Sequence, residues 1–283
     1  MKKILFVADF FSKDLSGGAE NNDANLLKHL SLANKIRISR SHKLTKEFVD
    51  ESDIVIVSNF VNVSQEGLKY IQDTKPYIIY EHDHKYVRNR DPSVYPDFII
   101  PDSEKVNIEF YKNAKKVFVL SKVCKEVLEK NIPSVKVHSI GCSLWSEETF
   151  DYIESLLKEK KENDLCILKS DNPIKNYDKS LEYCRKNDII PLELSEPIYR
   201  VFLKKMASCE RMLFIPGVLE TFSRVSAEAK MLGLKLMTTP KRLGFASEDI
   251  FEQSGIELIN SFRNRNKKAL LAFEEVVQAQ CIG

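Results

Sequence analysis

Apolar and polar residues alternate in two patterns along this chain. Short apolar runs, which predict buried strands, alternate with longer segments in which apolar residues recur every three or four positions, which predict amphipathic helices. In the first half the predicted strands are KILFVA, KIRIS, DIVIVSN, KPYIIYE, DFIIP, KVFVLS and VKVHSIG, and the predicted helices are AENNDANLLKHLSL, EKVNIEFYKN and KVCKEVLEKN. Such alternation is typical of parallel sheets with helices on both faces.

The same alternation begins again after a polar segment at 142–148, which contains the only tryptophan, Trp145. The predicted helices of this second set are residues 147–160, YDKSLEYCRKN and EPIYRVFLKKMAS, and its predicted strands are DLCILK, IIPLEL, RMLFIP and LKLMTT. We therefore expect two doubly wound, Rossmann-like α/β domains, at 1–145 and 146–262, followed by a C-terminal segment at 263–283.

A final amphipathic helix is predicted at 261–279. Its expected buried positions are Leu270, Leu271, Phe273 and Val277. Two doubly wound domains in tandem leave a cleft between the carboxyl ends of their sheets, and open parallel sheets bind ligands at those ends. Candidate functional residues are therefore those that follow predicted strands.

Composition narrows the classes of function. Of the 283 residues 43% are hydrophobic and 30% are charged, and the net charge of +2 gives no strong electrostatic case for binding nucleic acid or an anionic membrane. No apolar stretch approaches the ~20 residues of a membrane span, and the N-terminal apolar run is too short for a signal peptide and is interrupted by Asp9. The six cysteines lack the spacing of a zinc site. These features predict a cytoplasmic protein with reduced cysteines.

The segment 217–239, GVLETFSRVSAEAKMLGLKLMTT, places Glu220 and Glu228 eight residues apart around the start of a predicted helix. Thr221 or Ser223 is a candidate N-cap. On one helix the glutamates would lie roughly 12 Å apart along the axis. This is about the distance between the ribose and the sugar of a nucleotide sugar whose diphosphate rests on the N–H groups of the first helical turn. Alternatively, Glu220 merely complements the helix dipole and Glu228 is solvated surface.

Gly17 and Gly18 follow the first predicted strand and precede a helix. Adjacent glycines allow a phosphate or a sugar to approach the backbone, and the helix N-terminus behind them favours negative charge. The loop lacks the GxGxxG pattern, and the second strand ends in Arg40 instead of an acidic residue, so NAD is disfavoured. The alternative is a flexible turn.

The strand KPYIIY is followed by Glu81, His82, Asp83 and His84. The two histidines lack an obvious third metal ligand, so no metal site is predicted here. Glu81-His82-Asp83 only faintly resembles the DxD motif of metal-dependent sugar transferases. We expect His82 to face the cleft as a hydrogen-bonding or acid–base group near a transferred sugar. The alternative is a structural histidine.

Lys169 and Lys175 flank a turn at the carboxyl end of the strand DLCILK. Two ammonium groups at this place could neutralise a diphosphate leaving group as a glycosyl bond breaks. The alternative is a pair of surface lysines.

Over nearly the whole chain, these segments resemble the retaining GT-B glycosyltransferases of the glycosyltransferase family 4 type. That family has a Gly-Gly-x-Glu loop after the first strand, similar to residues 17–20, a His-Asp pair, similar to His82-Asp83, and a strand that ends in serine before a helix, similar to FVLSKVCKEVL. Its Ile-Pro-Asn-Gly-Val-Asp stretch before the domain crossover is similar, in degraded form, to HSIGCSLWSEETF. The most specific part is Glu-x7-Glu with Glu-Ala-x-x-x-Gly, which matches Glu220, Glu228, Ala229 and Gly233.

The resemblance implies roles for the matched residues. Glu228 would bind the ribose hydroxyls, and Glu220 would hold hydroxyls of the donor sugar, beside His82. Lys175, with Lys169 in place of the usual arginine, would stabilise the departing diphosphate. The expected catalytic residues are Glu220, Lys175 and His82, and the expected donor-binding residues are Gly17, Gly18, Lys169, Lys175, Thr221, Phe222, Ser223 and Glu228.

The resemblance also implies a chemistry. Such enzymes need no metal or other cofactor. The leaving phosphate takes the acceptor's proton on the same face of the sugar, so configuration is retained without a protein nucleophile. In relatives the last helix packs back on the N-terminal domain, so the same is expected of 263–283.

Three departures from the family's pattern bear on the substrates. Ser223 replaces the usual glycine after the phenylalanine, and Lys235 replaces the usual proline before the following strand. The chain is also short for the family. These features leave the identity of the donor open and predict a small acceptor surface, as in a compact, virus-encoded version.

The sequence thus predicts a hexosyltransferase that moves a sugar from a nucleotide diphosphate, UDP first and GDP second, to a hydroxyl of a glycan, a small molecule or a modified DNA base. Two alternatives remain: a non-catalytic module that binds nucleotide sugars, and a nucleotide-sugar epimerase on the same architecture.

Overall fold

The computed structural model describes residues 1–14 and 17–279, and the chain divides into two compact units. Unit 1 consists of Met1–Leu144 together with the part of the chain from Arg265 onward. Unit 2 consists of Trp145–Asn264.

Unit 1 is built around a six-stranded parallel sheet with the strand order β2-β1-β3-β4-β5-β6. Its strands are β1 (Lys3–Ala8), β2 (Lys35–Arg40), β3 (Ile54–Val57), β4 (Tyr77–Tyr80), β5 (Lys116–Val119) and β6 (Val137–Ser139). The inner strands β3 and β4 read IVIV and YIIY and are buried at every position, because helices cover both faces of such a sheet. The edge strand β2 is mostly open to solvent.

The helices of unit 1 connect these strands. They are α1 (Gly18–Leu30), α2 (Lys46–Asp50), α3 (Gln65–Thr74), α4 (Ile108–Asn113) and α5 (Lys122–Asn131). The sequence pattern did not predict α2 or α3. The predicted strand DFIIP is wrong, because Asp97 and Phe98 have φ angles of 51° and 59°, which extended chain does not permit.

Unit 2 is built around a four-stranded parallel sheet with the order β10-β9-β7-β8. Its strands are β7 (Asn163–Leu168), β8 (Leu192–Leu194), β9 (Cys209–Phe214) and β10 (Lys235–Thr238), and its helices are α6 (Glu147–Ser155), α7 (Tyr177–Lys186), α8 (Tyr199–Ala207) and α9 (Arg224–Met231). Since β7 and β9 are neighbours, the turns that follow these two strands lie at the same edge of the sheet.

The last described helix, α10 (Gly255–Ala279), begins six residues before its predicted start. Phe273 and Val277 are buried as predicted, but Leu271 is 54% exposed. Leu271 lies two positions before Phe273, and two residues turn an α-helix through roughly 200°, so the two side chains point to opposite faces. Within unit 1, the Phe273 ring stacks on Phe118 at 3.8 Å between centroids.

The remaining sequence-based expectations concern the domain limits, the cysteines and membrane-spanning segments. The domain limits 1–145, 146–262 and 263–283 stay predictions, and residues 280–283, including Cys281, lie outside the described residues. The other five cysteines are buried. In the described part of the chain no helix combines the length and the apolar character needed to cross a membrane.

Candidate functional site

An ion pair joins two of the predicted site residues of unit 2. The Nζ of Lys175 lies 2.7 Å from the Oε1 of Glu220. Lys175 ends the short turn Pro173–Lys175 after β7, and Glu220 lies in the loop after β9. The side chains are 27% and 11% exposed, so the pair is partly shielded from solvent.

Close backbone contacts hold the two loops together. The N–H of Gly217 donates to the Ile174 carbonyl at 2.9 Å, and a Cβ atom at position 217 would lie only 3.0 Å from that oxygen. Glu220 forms a parallel bridge with Leu243, in which its N–H donates to the Arg242 carbonyl at 3.0 Å. These backbone hydrogen bonds therefore fix the positions of the main chain near Lys175 and at Glu220.

Glu220 does not lie on the helix that carries Glu228. The helix α9 starts at Arg224, because Ser223 has φ of 74° and interrupts the helical geometry. The predicted separation of roughly 12 Å between Glu220 and Glu228 along one helix axis is therefore wrong. Ser223 occupies the N-cap position and Thr221 does not, but no side-chain cap bond is formed.

Ser223 adopts a left-handed backbone conformation, which restricts the residue types that fit this position without strain. A positive φ favours glycine, because a Cβ atom is strained there. The Ser223 hydroxyl lies 2.9 Å from that of Ser226.

Glu228 is buried, at 2% exposure, so the alternative of a solvated surface residue is wrong. Its Oε1 accepts hydrogen bonds from the Trp145 indole N–H at 2.9 Å and from the Tyr199 hydroxyl at 2.5 Å. The Nε of Arg224 lies 3.4 Å from the same oxygen, and the Arg224 guanidinium lies over the Trp145 ring at 4.7 Å. Burial, together with the nearby Glu228 carboxylate, raises the pKa of Tyr199.

The sequence patterns did not identify three of the residues that contact Glu228, which are Trp145, Tyr199 and Arg224. Trp145 stood out as the only tryptophan, but it was read as part of a linker. Arg224 lies four residues before Glu228, a spacing that places two side chains on one helix face. No pattern in the sequence pointed to Tyr199.

Lys169 pairs with a different carboxylate from Lys175. Its Nζ lies 2.6 Å from the Oε2 of Glu193, whose Oε1 accepts a hydrogen bond from the Tyr177 hydroxyl at 2.7 Å. The hydrogen bond to Glu193 raises the pKa of Lys169. The structure thus brings Lys175 to Glu220, and Lys169 to Glu193.

The segment before α9 is anchored by aromatic packing. The Phe222 ring is buried against Phe245 at 5.3 Å and Phe262 at 5.9 Å between centroids, and the Phe222 carbonyl accepts the N–H of Phe245 at 3.0 Å. Within the described residues, the N–H groups of Phe222 and Ser223 donate no hydrogen bond.

In unit 1, Gly17 occupies the N-cap position of α1, and Gly18 is its first residue. A Cβ atom at Gly17 would overlap the Glu20 carboxylate, so this glycine makes room for an acidic side chain. Glu20 is buried, and burial raises its pKa.

His82 is a buried, hydrogen-bonded histidine just beyond β4. Its Nε2 lies 3.2 Å from the Oδ1 of Asp23, and the Ser58 hydroxyl donates to the same oxygen at 2.7 Å. The other oxygen of Asp23 is buried and has no hydrogen-bond partner among the residues that the structure describes. Asp23 and Ser58 were missed by sequence reasoning, because they lie 59 and 24 positions from His82.

Glu81 serves a structural ion pair. Its Oε1 lies 2.8 Å from the Lys85 Nζ, and its Oε2 accepts a hydrogen bond from the Tyr111 hydroxyl. Burial alone would raise the pKa of Glu81, but the charge of Lys85 and these hydrogen bonds lower it to about 2. His84 has φ of 56° and contacts the Tyr86 hydroxyl at 3.1 Å. Among residues 1–14 and 17–279, no group of three or more metal-ligating side chains could hold a metal ion.

Comparison with known proteins finds likeness in structure but not in sequence. No family model matches the chain, and no curated protein matches it. The chain is similar to the structure of Anabaena Alr3699/HepE in complex with UDP-glucose, with a TM-score of 0.57 and 14% identity over 94% of this chain and 89% of that chain.

Two further solved structures are similar over almost their whole length. A glycosyltransferase from Rickettsia africae has a TM-score of 0.57 and 13% identity over 98% of each chain. The E. coli trehalose-6-phosphate protein bound with UDP-2-fluoro glucose has a TM-score of 0.53 and 7% identity over 99% of each chain. With its two Rossmann-like units of six and four parallel strands, the chain has the GT-B fold, as its sequence predicted.

Proposed function

We propose that this chain is a retaining glycosyltransferase of the family 4 type, which transfers a sugar from a nucleotide diphosphate to a hydroxyl acceptor. The observation that carries the proposal is the Lys175–Glu220 pair at 2.7 Å, at the carboxyl edge of the unit 2 sheet. A cation for the phosphates and an anion for sugar hydroxyls lie side by side, as a nucleotide sugar requires.

Glu228 is proposed to bind the ribose. All three of its polar contacts use Oε1, so Oε2 is the oxygen proposed to accept hydrogen bonds from ribose hydroxyls. Trp145, Tyr199 and Arg224 would hold the carboxylate in position, which lowers the entropy that binding costs.

The diphosphate is proposed to lie on the N–H groups of Thr221, Phe222 and Ser223, near the start of α9. A helix N-terminus favours negative charge, and the N–H groups of Phe222 and Ser223 donate no hydrogen bond within the described residues. The Ser223 side chain would narrow the space beside the phosphates compared with a glycine.

Lys175 is proposed to be the main electrostatic catalyst. When the bond between C1 of the sugar and the phosphate oxygen breaks, negative charge grows on the diphosphate, and the ammonium stabilises this charge without a metal. Lys169 would add to the field once it leaves Glu193. The departing phosphate would take the acceptor's proton on the same face, and configuration would be retained.

Unit 1 is proposed to supply the remaining groups. Gly17 and Gly18 would let the backbone approach the donor, and His82 would hydrogen-bond the transferred sugar, with Asp23 fixing its ring. UDP is the first choice of nucleotide, which the UDP-glucose complex of the Anabaena neighbour supports, and GDP is the second. The acceptor is proposed to be a glycan, a small molecule or a modified DNA base.

The test is release of nucleotide and transfer of sugar by the full chain, with UDP- and GDP-sugars and a pool of acceptors, in EDTA. We expect turnover in EDTA, and a loss of a hundredfold or more in Glu220→Ala and Lys175→Ala. Lys186→Ala, which removes an exposed ammonium from α7, is the matched control. Turnover that requires a divalent ion, or that persists in both variants, would contradict the proposal.

The products separate the two alternatives. An epimerase converts the nucleotide sugar without an acceptor, and a binding module shifts the melting temperature with UDP or GDP but yields no product. A glycosylated acceptor with unchanged anomeric configuration is found only with the proposed reaction.

A further inference from the structure

A groove of about 300 Å³ lies in unit 1 at the carboxyl end of β2, and Gly17, Gly18 and His82 are not among its lining residues. Seven of the described side chains line it. Three are cationic (Lys13, Arg40 and Lys43), three are apolar (Phe11, Ile38 and Phe48), and one is the neutral Ser39. The carboxyl edge of a parallel sheet is where ligands of such sheets bind.

The charge of the groove is strongly one-sided. No carboxylate of the described residues lines it, and of its three cations Arg40 forms an ion pair, with Asp14. Lys13 and Lys43 form no ion pair with any described residue, whereas other surface lysines do, such as Lys69 with Asp73. Three cations against one carboxylate favour an anionic ligand.

The surroundings of the groove are apolar and exposed. Ile38 is 45% exposed near the end of β2, and the loops after the neighbouring strands β1 and β3 expose Phe10 at 48% and Val61 at 52%. The strand order β2-β1-β3 makes these strands neighbours, so the three positions lie toward the same edge of the sheet. Large apolar side chains exposed together mark a binding surface.

We propose that this groove binds the acceptor, and that the acceptor carries a phosphate next to an apolar group. The phosphate would lie on Lys13, Arg40 and Lys43, and the apolar group against Phe11, Ile38 and Phe48. This inference rests on the proposed function. In the reaction the bond from C1 of the sugar to the diphosphate breaks, a bond from C1 to an acceptor hydroxyl forms, and the hydroxyl proton passes to the departing phosphate.

The test measures binding of simple probes to the full chain by calorimetry at low salt. Octyl phosphate carries both features, octyl glucoside lacks the charge, and inorganic phosphate lacks the apolar part. We expect octyl phosphate to bind at least tenfold more tightly than either, and more weakly as salt is added, because exposed charges are screened.

Variants locate the site. Lys13→Glu with Lys43→Glu should weaken octyl phosphate at least tenfold, and Ile38→Ser should weaken octyl phosphate but not inorganic phosphate. Lys3→Glu with Lys35→Glu makes the same charge change at the other end of β1 and β2 and should have no effect. The proposal is overturned if octyl glucoside binds as tightly as octyl phosphate, or if the double variant binds like the native chain.

Phenyl phosphate distinguishes the two sources of such a ligand. If phenyl phosphate binds as tightly as octyl phosphate, the ligand is a water-soluble phosphorylated compound. If it binds much more weakly, the ligand is a lipid with a phosphate head group. Either result supports a ligand with a phosphate next to an apolar group. Thermal shifts with UDP-glucose, taken on the same samples, test the proposed function separately. If UDP-glucose raises the melting temperature but octyl phosphate does not bind, only the acceptor proposal is wrong. If octyl phosphate binds but UDP-glucose gives no shift, the proposed donor is wrong and the groove still binds phosphate.

Discussion

The ammonium of Lys175 and the carboxylate of Glu220 lie 2.7 Å apart, although 45 positions separate the two residues in the chain. They meet because β7 and β9 are neighbouring parallel strands, so the turns after them share one edge of the sheet. Gly217 then lets the two turns approach to backbone contact. A pair placed by the fold in this way can be tested one partner at a time.

Lys175→Met should lower kcat by a hundredfold or more, because an ammonium that stabilises developing charge is lost. The free energy of unfolding should change by less than about 1 kcal/mol, since the pair is partly exposed. Steady-state rates and chemical denaturation measure the two effects. The matched variant is Lys186→Met, which should retain native rates. Loss of stability in proportion to activity would mean that Lys175 is only structural.

Tyr199→Phe should weaken UDP binding by about tenfold, because Glu228 loses the hydroxyl that donates to it at 2.5 Å. Isothermal titration with UDP provides the measurement. Tyr70→Phe removes a similar hydrogen bond to a carboxylate, that of Asp50, and should leave UDP affinity unchanged. Unchanged affinity in Tyr199→Phe would show that Glu228 does not need this partner.

Ser223→Gly should raise the free energy of unfolding by up to about 1 kcal/mol, because glycine adopts the observed φ of 74° without strain. Ser223→Val should lower it, since a β-branched residue suits a positive φ least. Ser226→Ala removes only the hydroxyl partner and serves as the control. If urea denaturation ranks valine at or above glycine, the left-handed conformation is not present in solution.

The Glu81–Lys85 pair should make stability fall in acid. Glu81 has a pKa of about 2 in the folded chain and 4.5 as its ordinary value, so the unfolded chain takes up more protons as the pH falls. The stabilisation is therefore complete above about pH 4.5 and is lost between pH 4.5 and 2. Denaturation curves across this range measure the loss.

Two variants separate this pair from other acidic groups. Glu81→Gln leaves the Lys85 ammonium buried without its anion and should cost roughly 3–5 kcal/mol at pH 7. The double change to Glu81→Gln with Lys85→Met should recover much of that cost and should flatten the pH dependence below 4.5. An equally steep acid loss in the double variant would assign it elsewhere.

Glu20→Gln should stabilise the chain at pH 7.5, by up to about 1 kcal/mol. Burial raises the pKa of Glu20, so the folded chain holds this proton more tightly than the unfolded chain. Stability is therefore lost as the pH rises from 4.5 through the raised pKa, and the glutamine variant lacks this loss. Parallel denaturation at pH 4 and 7.5 gives the comparison, and a variant less stable than the native chain at pH 7.5 would be the contrary result.

The candidate site was partly predictable from the sequence. Lys175 was recognised because it follows a predicted strand, and Glu220 because of its spacing from Glu228 and the motif that the two glutamates form. Their direct contact was not predicted, because the order in which β7 and β9 pair is a property of the whole sheet. The estimate that Glu220 and Glu228 share one helix failed at Ser223, because a serine gives no sign in the sequence of a positive φ.

The alternation of apolar runs and helical periods was enough to predict two parallel sheets and the GT-B fold, because burial on both faces imposes one hydrophobic pattern on such strands. Long-range contacts were decided only by the tertiary structure. It places Trp145 and Tyr199 on Glu228, and Asp23 and Ser58 on His82. These partners are tens of residues apart, and a hydrogen bond depends on the positions of two atoms in space, which local sequence patterns do not encode.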